Sequence, residues 1–225
     1  MSPGEASAIV AGEGPLAAAA AIALATAGFG RIGLAGAASA ERAAGKLGLL
    51  VPETVIEPYP VGLEPANAAA IVAGADVVLA CGSPEEQQLV NDACCAAGVA
   101  LAAGALDRGT AFVQSVRPGR SACLRCEHPA SGLRRPAGEG ADADTGFDGL
   151  GPGAEAGLAG VAGSIVALEA LKLVTGAGRP LLNRVLRLDG RDMSTEITAV
   201  QAQDGCLACA RGPDAAARLP GAPHS

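Results

Sequence analysis

The sequence predicts a doubly wound α/β fold whose sheet is mostly parallel, with a smaller antiparallel portion near the C-terminus. Short apolar runs alternate with alanine-rich helical stretches, at the spacing of repeated βαβ units. The first apolar run closes with the glycine turn Gly12-Glu13-Gly14-Pro15, and a helical stretch follows directly. Two Cys-x-x-Cys pairs lie around the last predicted elements. Together these features predict a Rossmann-like sheet with an added structural zinc site.

The first half of the chain is predicted to alternate between strands and helices. Ala8–Ala11 predicts a strand, and Pro15 suits the first position of a helix that runs to about Ala27, where Gly28 is the expected cap. Arg31–Ala35 predicts the second strand. The same pattern then predicts strands over 54–59, 76–80, 99–102 and 111–116, and helices over 64–74 and 84–97, the second of them ended by Gly98.

The second half begins with a break in this alternation. Residues 130–153 are rich in Gly, Pro and charge, which predicts a crossover loop. Glu155–Thr175 predicts a long helix stopped by Gly176, and Leu182–Asp189 and Met193–Val200 predict two antiparallel strands joined near Gly190.

We expect residues 1–210 to form a single domain. Its nucleotide-fold half is expected over 7–120. Its second half, over 121–210, contains the crossover loop, the long helix, the antiparallel strands and the zinc clamp. Residues 211–225 are expected to be a disordered tail.

Composition restricts the function classes. The formal net charge is −7, and a surface that neutralises phosphates needs to be basic, so we expect no nucleic-acid partner. Residues 14–30 are uncharged but alanine-rich, and no basic residue precedes them, so neither a membrane span nor a signal peptide is expected. A cytoplasmic location follows as an expectation, and thiols stay reduced in that compartment.

The two cysteine pairs, Cys123 with Cys126 and Cys206 with Cys209, supply four thiolates for one tetrahedral metal. Structural zinc is the favoured interpretation, and disulfides, free thiols or redox chemistry are the alternatives. Most zinc ribbons separate their pairs by about 15–20 residues. Here a helix and two strands intervene, so the metal would tie the end of the chain to its middle.

The glycine turn is a candidate phosphate site. Gly12 and Gly14 stand where backbone N–H groups and a helix N-terminus can meet a phosphate. However, Glu13 would repel an anion, and no carboxylate follows the second strand until Glu41. A tight turn without a ligand is therefore the alternative.

Ser83 follows the fourth strand and is a second candidate for cofactor binding, because ligands sit at the carboxyl edge of parallel strands. Ser83 with Glu86 three residues later is also the pattern of an ordinary helix N-cap. Cys81, Cys94 and Cys95 are expected to be buried thiols that behave as small hydrophobic residues.

The order of motifs resembles the ThiF–MoeB–HesA family of ubiquitin-activating-enzyme-like proteins. The resemblance covers about residues 7–210. It rests on the glycine turn, on 76–78, on 90–94, on Arg117-Pro118-Gly119 before the first cysteine pair, on 160–172 and on the second pair. It implies a homodimer, or a heterodimer with a related member. It also implies that ATP and magnesium adenylate the C-terminal glycine of a ubiquitin-like sulfur carrier, and that the four cysteines hold zinc.

Departures from the family pattern fall on its active site. The family's ribose-binding Asp corresponds to Gly36, and its magnesium-binding Asp corresponds to Ser83. The stretch that normally carries phosphate-binding cations offers Arg42 and Lys46, and 127–154 contains no cysteine nucleophile. We therefore expect no catalytic residue and weakened or lost ATP chemistry. The alternative is a non-catalytic scaffold that binds a carrier or a precursor peptide. A nicotinamide-dependent oxidoreductase shares only the glycine turn.

Overall fold

The computed structural model describes residues 1–36, 39–127, 133 and 151–209. In these residues the chain forms one eight-stranded sheet of order β3-β2-β1-β4-β5-β6-β7-β8. The first five strands in this order are parallel, and β6, β7 and β8 add to them in antiparallel pairs. The predicted fold class, a mostly parallel sheet with an antiparallel C-terminal portion, is confirmed.

The elements follow the predicted alternation. The strands are β1 Ser7–Ala11, β2 Arg31–Ala35, β3 Val55–Tyr59, β4 Val77–Ala80, β5 Ala100–Asp107, β6 Thr110–Val116, β7 Arg184–Asp189 and β8 Thr195–Ala199. The helices are α1 Pro15–Thr26, α2 Ala40–Leu50, α3 Ala68–Val72, α4 Pro84–Ala97, α5 Leu124–Glu127 and α6 Gly151–Thr175, and a 3₁₀ turn precedes β1.

Two layers of helices cover the sheet. Side chains of α1, α2 and α6 share one buried cluster with one face of the strands. Side chains of α3 and α4 share a second cluster with the other face, and this cluster includes all four cysteines of the two pairs. The parallel register aligns Ala11 with Ala35 and with Ala80, so the turns after β1, β2 and β4 meet at one edge of the sheet. We call this the carboxyl edge.

Two helices lie where no element was predicted, and some predicted bounds were wrong. The two are α2, over Ala40–Leu50, and the single turn α5, over Leu124–Glu127. β5 continues to Asp107 instead of ending at 102, α3 covers only Ala68–Val72, and α6 begins at Gly151. The rest of the predicted crossover loop, apart from Leu133, and the predicted tail lie outside the described residues. The single domain over 1–210 remains a prediction.

α6 packs against α1 and against β4, β5 and β6. Over Gly153–Thr175 it is long and apolar enough to cross a bilayer by length and composition alone, but half of its most apolar window is buried against these elements. Gly163 lies at a close contact with α1. A Cβ built there would lie 2.7 Å from Ala19 Cβ and 2.7 Å from Leu16 O. The two helices can approach this closely because position 163 has no side chain.

This contact predicts that Gly163→Ala destabilises the protein by about 1–3 kcal/mol, as overpacked substitutions do. Gly157 is the matched control on the same helix, because a Cβ there meets nothing within 4 Å. Gly157→Ala is expected to be neutral, or to stabilise by up to about 1 kcal/mol through helix propensity. Urea unfolding of both variants tests this, and equal stabilities would contradict the close packing.

Candidate functional site

The glycine turn after β1 has a backbone that only glycine can adopt. Gly12 has φ +120°, and a Cβ at this position would lie 2.4 Å from Gly82 N and 2.7 Å from Cys81 C. The Gly12 N–H donates to Ala35 O at 3.0 Å, and the Cys81 N–H donates to Ala11 O at 2.8 Å. The turns after β1 and β4 are therefore in backbone contact, and any side chain at 12 would separate them.

Gly14 holds the start of α1. It is the N-cap residue with φ +89°, and Pro15 occupies the first helical position, as predicted. A Cβ built at Gly14 meets nothing within 4 Å, so the space beside this helix N-terminus is open. The backbone thus keeps the geometry with which glycine turns approach phosphates. Whether Gly12 and Gly14 bind a cofactor remains a prediction.

The end of β2 has neither an acid nor room for one. A Cβ at Gly36 would lie 2.8 Å from Gly12 O and 3.1 Å from Glu13 Cγ. Glu13 instead extends from the glycine turn, and its Oε1 accepts a hydrogen bond of 2.8 Å from Ser39 Oγ. A carboxylate is therefore present near this turn, but it comes from Glu13 and not from the strand end.

Ser83 caps α4. Its hydroxyl accepts from Glu86 N at 3.3 Å, and Ser83 N donates to Glu86 Oε2 at 2.8 Å, which is the capping box that the sequence predicts. A cofactor role for Ser83 remains a prediction. Cys81 is buried beside it, and burial raises the pKa of this thiol to about 12. Cys81 is thus protonated at neutral pH and is a poor nucleophile.

A cavity of about 440 Å³ opens at the carboxyl edge between the turns after β1 and β4. Its polar lining includes Glu13, Ser83 and Glu86, and no basic side chain lines it within the described part of the chain. The candidate nucleotide edge therefore combines a phosphate-type backbone with two carboxylates.

The four cysteines of the two pairs come together on the face of the sheet that α3 and α4 cover. Their Sγ atoms all lie within 4.8 Å of one another, and all four residues are buried. Cys123 Sγ is 3.9 Å from Cys126 Sγ and 3.7 Å from Cys206 Sγ, while Cys126 Sγ is 3.6 Å from Cys209 Sγ. Four sulfurs at about 2.3 Å from one tetrahedral ion are about 3.8 Å apart. The cluster therefore fits a four-thiolate metal ion, and the sulfurs are too far apart for disulfides.

The electrostatics of this cluster also favour a cation. Hydrogen bonds with Cys123 and Cys209, followed by burial, raise the pKa of Cys126. Without an ion the thiols would be neutral, whereas a bound divalent ion deprotonates its thiol ligands. All four positions of a tetrahedral ion would be filled by sulfur, so this site is suited to a structural role and not to catalysis.

α4 supports the first cysteine pair through contacts that were not predicted from the sequence. The fully buried Asn91 accepts from Leu124 N at 3.0 Å through its Oδ1. Asp92 accepts from Arg125 Nε at 2.6 Å and from Arg125 Nη2 at 2.7 Å. In the sequence, Asn91 and Asp92 follow Val90 and precede Ala93, Cys94 and Cys95. Two polar residues between apolar ones are the sequence signal that could have identified Asn91 and Asp92.

Gln87 links the carboxyl edge with one residue of the crossover. Its Nε2 donates to Gly82 O and to Gly104 O, each at 3.1 Å. Its Oε1 accepts from Leu133 N at 3.1 Å, and Leu133 is fully buried. A single helix therefore contacts the edge at its start and the cysteine site near its end.

The fold and the site define a class of α/β protein with a nucleotide-type glycine turn and a four-cysteine cluster that fits a metal ion. The ThiF family matches residues 35–208, and the chain belongs to this family.

Similar proteins include the SAMP-activating enzyme E1 of Haloferax volcanii, which is 31% identical over 79% of this chain and 62% of its own length. The molybdopterin-synthase adenylyltransferase of Escherichia coli is 31% identical over 70% of this chain and 60% of its own length. Protein HesA of a Nostoc species is 30% identical over 64% of this chain and 52% of its own length. The chain thus spans between half and two thirds of the length of these relatives.

Solved structures show the same fold at lower identity. Escherichia coli MccB with ATP superposes with a TM-score of 0.74 at 17% identity, over 92% of this chain and 67% of that one. The microcin C7 biosynthetic enzyme MccB in complex with N-formylated MccA gives a TM-score of 0.74 at 18% identity, over 92% of this chain and 68% of that one.

The four-sulfur cluster predicts that Cys206→Ser lowers the metal content of the purified protein and destabilises it by several kcal/mol, because metal binding is coupled to folding. Cys81→Ala is the matched control, since Cys81 is a buried cysteine outside the cluster. Mass spectrometry of metals and thermal unfolding measure both effects. Unchanged metal content in Cys206→Ser would contradict a shared site.

The support from α4 predicts that Asn91→Ala weakens binding of added Zn²⁺ about tenfold, as the loss of groups that orient metal ligands typically does. The variant leaves the buried Leu124 N–H without its partner. Asp92→Ala is expected to have the smaller effect, because its ion pair with Arg125 is partly exposed. Competition with a chelating dye gives both affinities. Wild-type affinity in Asn91→Ala would show that Asn91 does not position the pair.

Proposed function

We propose that this chain binds the C-terminal tail of a ubiquitin-like sulfur carrier, or a precursor peptide, and that ATP chemistry at its own glycine turn is weakened or lost. Family membership supports the first part. Two of its similar relatives are named as an activating enzyme and as an adenylyltransferase, and an MccB structure of the same fold contains MccA.

The side chains at the carboxyl edge support the weakened or lost ATP chemistry, and this is the observation that carries the proposal. Transfer of a nucleotidyl group depends on cations that neutralise the phosphates and on acids that hold magnesium. The cavity between the turns after β1 and β4 is lined by Glu13 and Glu86 and by no described basic side chain. Arg42 and Lys46 line the cavity on the other side of the glycine turn, with Gly12 and Gly14. Each carboxylate about 4 Å from a phosphate charge costs about 1 kcal/mol even in water.

The two carboxylates are also committed to the protein. Glu13 accepts from Ser39, and Glu86 accepts from the backbone at the start of α4. To hold a magnesium ion in place of the missing acid, Glu86 would have to leave its capping box. The cap at Ser83 therefore supports a role for this residue in holding α4 and not in binding the cation.

Full adenylyltransferase activity is the second candidate, and one observation favours it. Gly12 and Gly14 keep the backbone of a phosphate-binding turn, with open space beside Gly14. Arg42 and Lys46 line a cavity together with Gly12 and Gly14, and they are the cations that this activity would use. We propose a homodimer, or a heterodimer with a related family member, in the cytoplasm, and light scattering of the purified chain measures the first of these states.

For the cysteine site we propose zinc. The ion has no preferred geometry of its own, binds thiolates readily and is four-coordinate in structural sites. Its role in this proposal is to hold the segment after β8 against the first cysteine pair, which contacts α4.

The proposal predicts no ATP–pyrophosphate exchange by the purified chain with a sulfur carrier ending in glycine, and no measurable heat with Mg–ATP. Calorimetry should nevertheless show carrier binding that is lost when the two last residues of the carrier are deleted. Exchange or micromolar ATP binding would refute the loss of ATP chemistry, while absence of carrier binding would refute the recognition of its tail.

Glu13→Gln gives a finer test of the electrostatic cause. In an NMR titration with millimolar Mg–ATP, which detects binding too weak for calorimetry, removing one carboxylate from the turn should strengthen the residual ATP binding about fivefold, which corresponds to about 1 kcal/mol. Glu53→Gln is the matched control, because Glu53 is exposed and precedes β3, at the other edge of the sheet. An equal ATP affinity for both variants would mean that Glu13 does not repel the nucleotide.

A further inference from the structure

A fifth buried cysteine lies beside the four-cysteine cluster. Cys95 is on α4 and is 1% exposed, and Cys123 of the cluster is 0% exposed. Both belong to the buried side chains on the face of the sheet that α3 and α4 cover, and their thiols are close enough to interact through a hydrogen bond. Cys95 is not one of the four residues whose Sγ atoms all lie within 4.8 Å of one another. It therefore adjoins the cluster without belonging to the group that fits the ion.

The contact of α4 with the first cysteine pair accounts for the place of Cys95. Asn91 and Cys95 are spaced i, i+4, so they share one face of the helix. Asn91 accepts from the N–H of Leu124, which is the residue directly after Cys123. The face of α4 that meets the first pair thus carries Cys95 one turn further along. Cys94 is on another side of the helix, because successive residues are about 100° apart.

A thiol at this place meets a charge that metal binding creates. Four thiolates around a divalent ion carry a net charge of about −2, and a buried charge is costly unless it is hydrogen-bonded. One donor is Gln203 N, which donates to Cys126 Sγ at 3.5 Å. Arg125 is also near Cys123, but its guanidinium is already paired with Asp92. A further donor beside Cys123 would therefore lower the cost of burying the loaded site.

We propose that Cys95 is a positioning residue of the metal site, whose S–H donates a hydrogen bond to Cys123 Sγ when an ion is bound. A thiol that coordinates a metal is deprotonated, so Cys123 can then only accept. The Cys95 thiol is outside the coordinating group and has a hydrogen to donate. This bond withdraws negative charge from Cys123 Sγ, orients it and makes it less reactive. The inference rests on the metal site proposed above and adds no ligand to it.

Cobalt(II) in place of zinc tests the hydrogen bond, because the thiolate-to-cobalt charge-transfer band depends on the charge at sulfur. Cys95→Ala is expected to move this band to longer wavelength, with one cobalt and four sulfur ligands per chain retained. Cys95→Ser keeps a donor and should leave the band close to its wild-type position. Cys94→Ala is the matched control, because it removes an equally buried thiol from the same helix and should not move the band.

The reactivity of the zinc-loaded protein gives a second readout. N-ethylmaleimide alkylates the coordinating thiolates, and a chelating dye reports the zinc that is released. We expect Cys95→Ala to release zinc at least threefold faster than the wild type, because the Cys123 thiolate has lost its donor. Cys95→Ser and Cys94→Ala should both release it within twofold of the wild-type rate. The two alanine variants remove the same group, so the difference between them measures the hydrogen bond and not the void.

Three results would overturn the proposal. The first is a wild-type charge-transfer band in Cys95→Ala, and the second is the same band shift in Cys94→Ala. The third is the loss of a sulfur ligand in Cys95→Ala, measured by X-ray absorption, which would make Cys95 a ligand. A wild-type protein that binds neither cobalt nor zinc would instead refute the metal site itself, so the two failures are distinguishable.

Discussion

Four buried sulfurs hold the segment that follows β8 against the middle of the chain. They join the segment that follows β6 to the segment that follows β8, over 83 residues of sequence. β8 is the outermost strand of the sheet, all five of its residues are exposed, and it pairs only with β7. Burial therefore gives this strand little support. The cysteine cluster restrains the segment that follows the strand, because Cys206 and Cys209 lie against the first cysteine pair.

The same site is tied to the carboxyl edge through α4. The helix begins in the capping box at Ser83 and contacts the first cysteine pair through Asn91 and Asp92. Between these points Gln87 is bonded to the turn after β4 and to Leu133. The candidate ligand edge and the four-cysteine cluster are thus both in contact with one helix. The contacts that hold α4 are all within the protein and do not involve a nucleotide. The position of this helix therefore does not depend on whether the carboxyl edge binds one.

Much of the fold follows from the sequence because its signals are local. The glycine turn, the capping box and the helix from Pro84 to Ala97 are each set by neighbouring residues, and the structure has them as predicted. α2 was missed because Gly45 and Gly48 weaken its helical signal and only Ala40 and Leu47 are buried. β5 was predicted too short because Gly104 interrupts its pattern. A Cβ at 104 would lie 2.5 Å from Val166 Cγ2, which is a contact with α6.

The site was predictable only in part, for the same reason. The two Cys-x-x-Cys motifs identify four candidate metal ligands from the sequence alone, so the four-cysteine cluster was predictable. The contact of Asn91 with Leu124 joins residues 33 positions apart, and the bond between Glu13 and Ser39 joins two turns. No local pattern encodes either contact. Both contacts depend on the tertiary fold, which brings residues distant in sequence close together.

X-ray absorption at the zinc edge of the purified protein tests the central claim most directly. The account predicts one zinc per chain, surrounded by four sulfur atoms at about 2.3 Å and by no nitrogen or oxygen ligand. A spectrum with fewer sulfur ligands, or protein that contains no zinc and has its cysteines in disulfides, would contradict it.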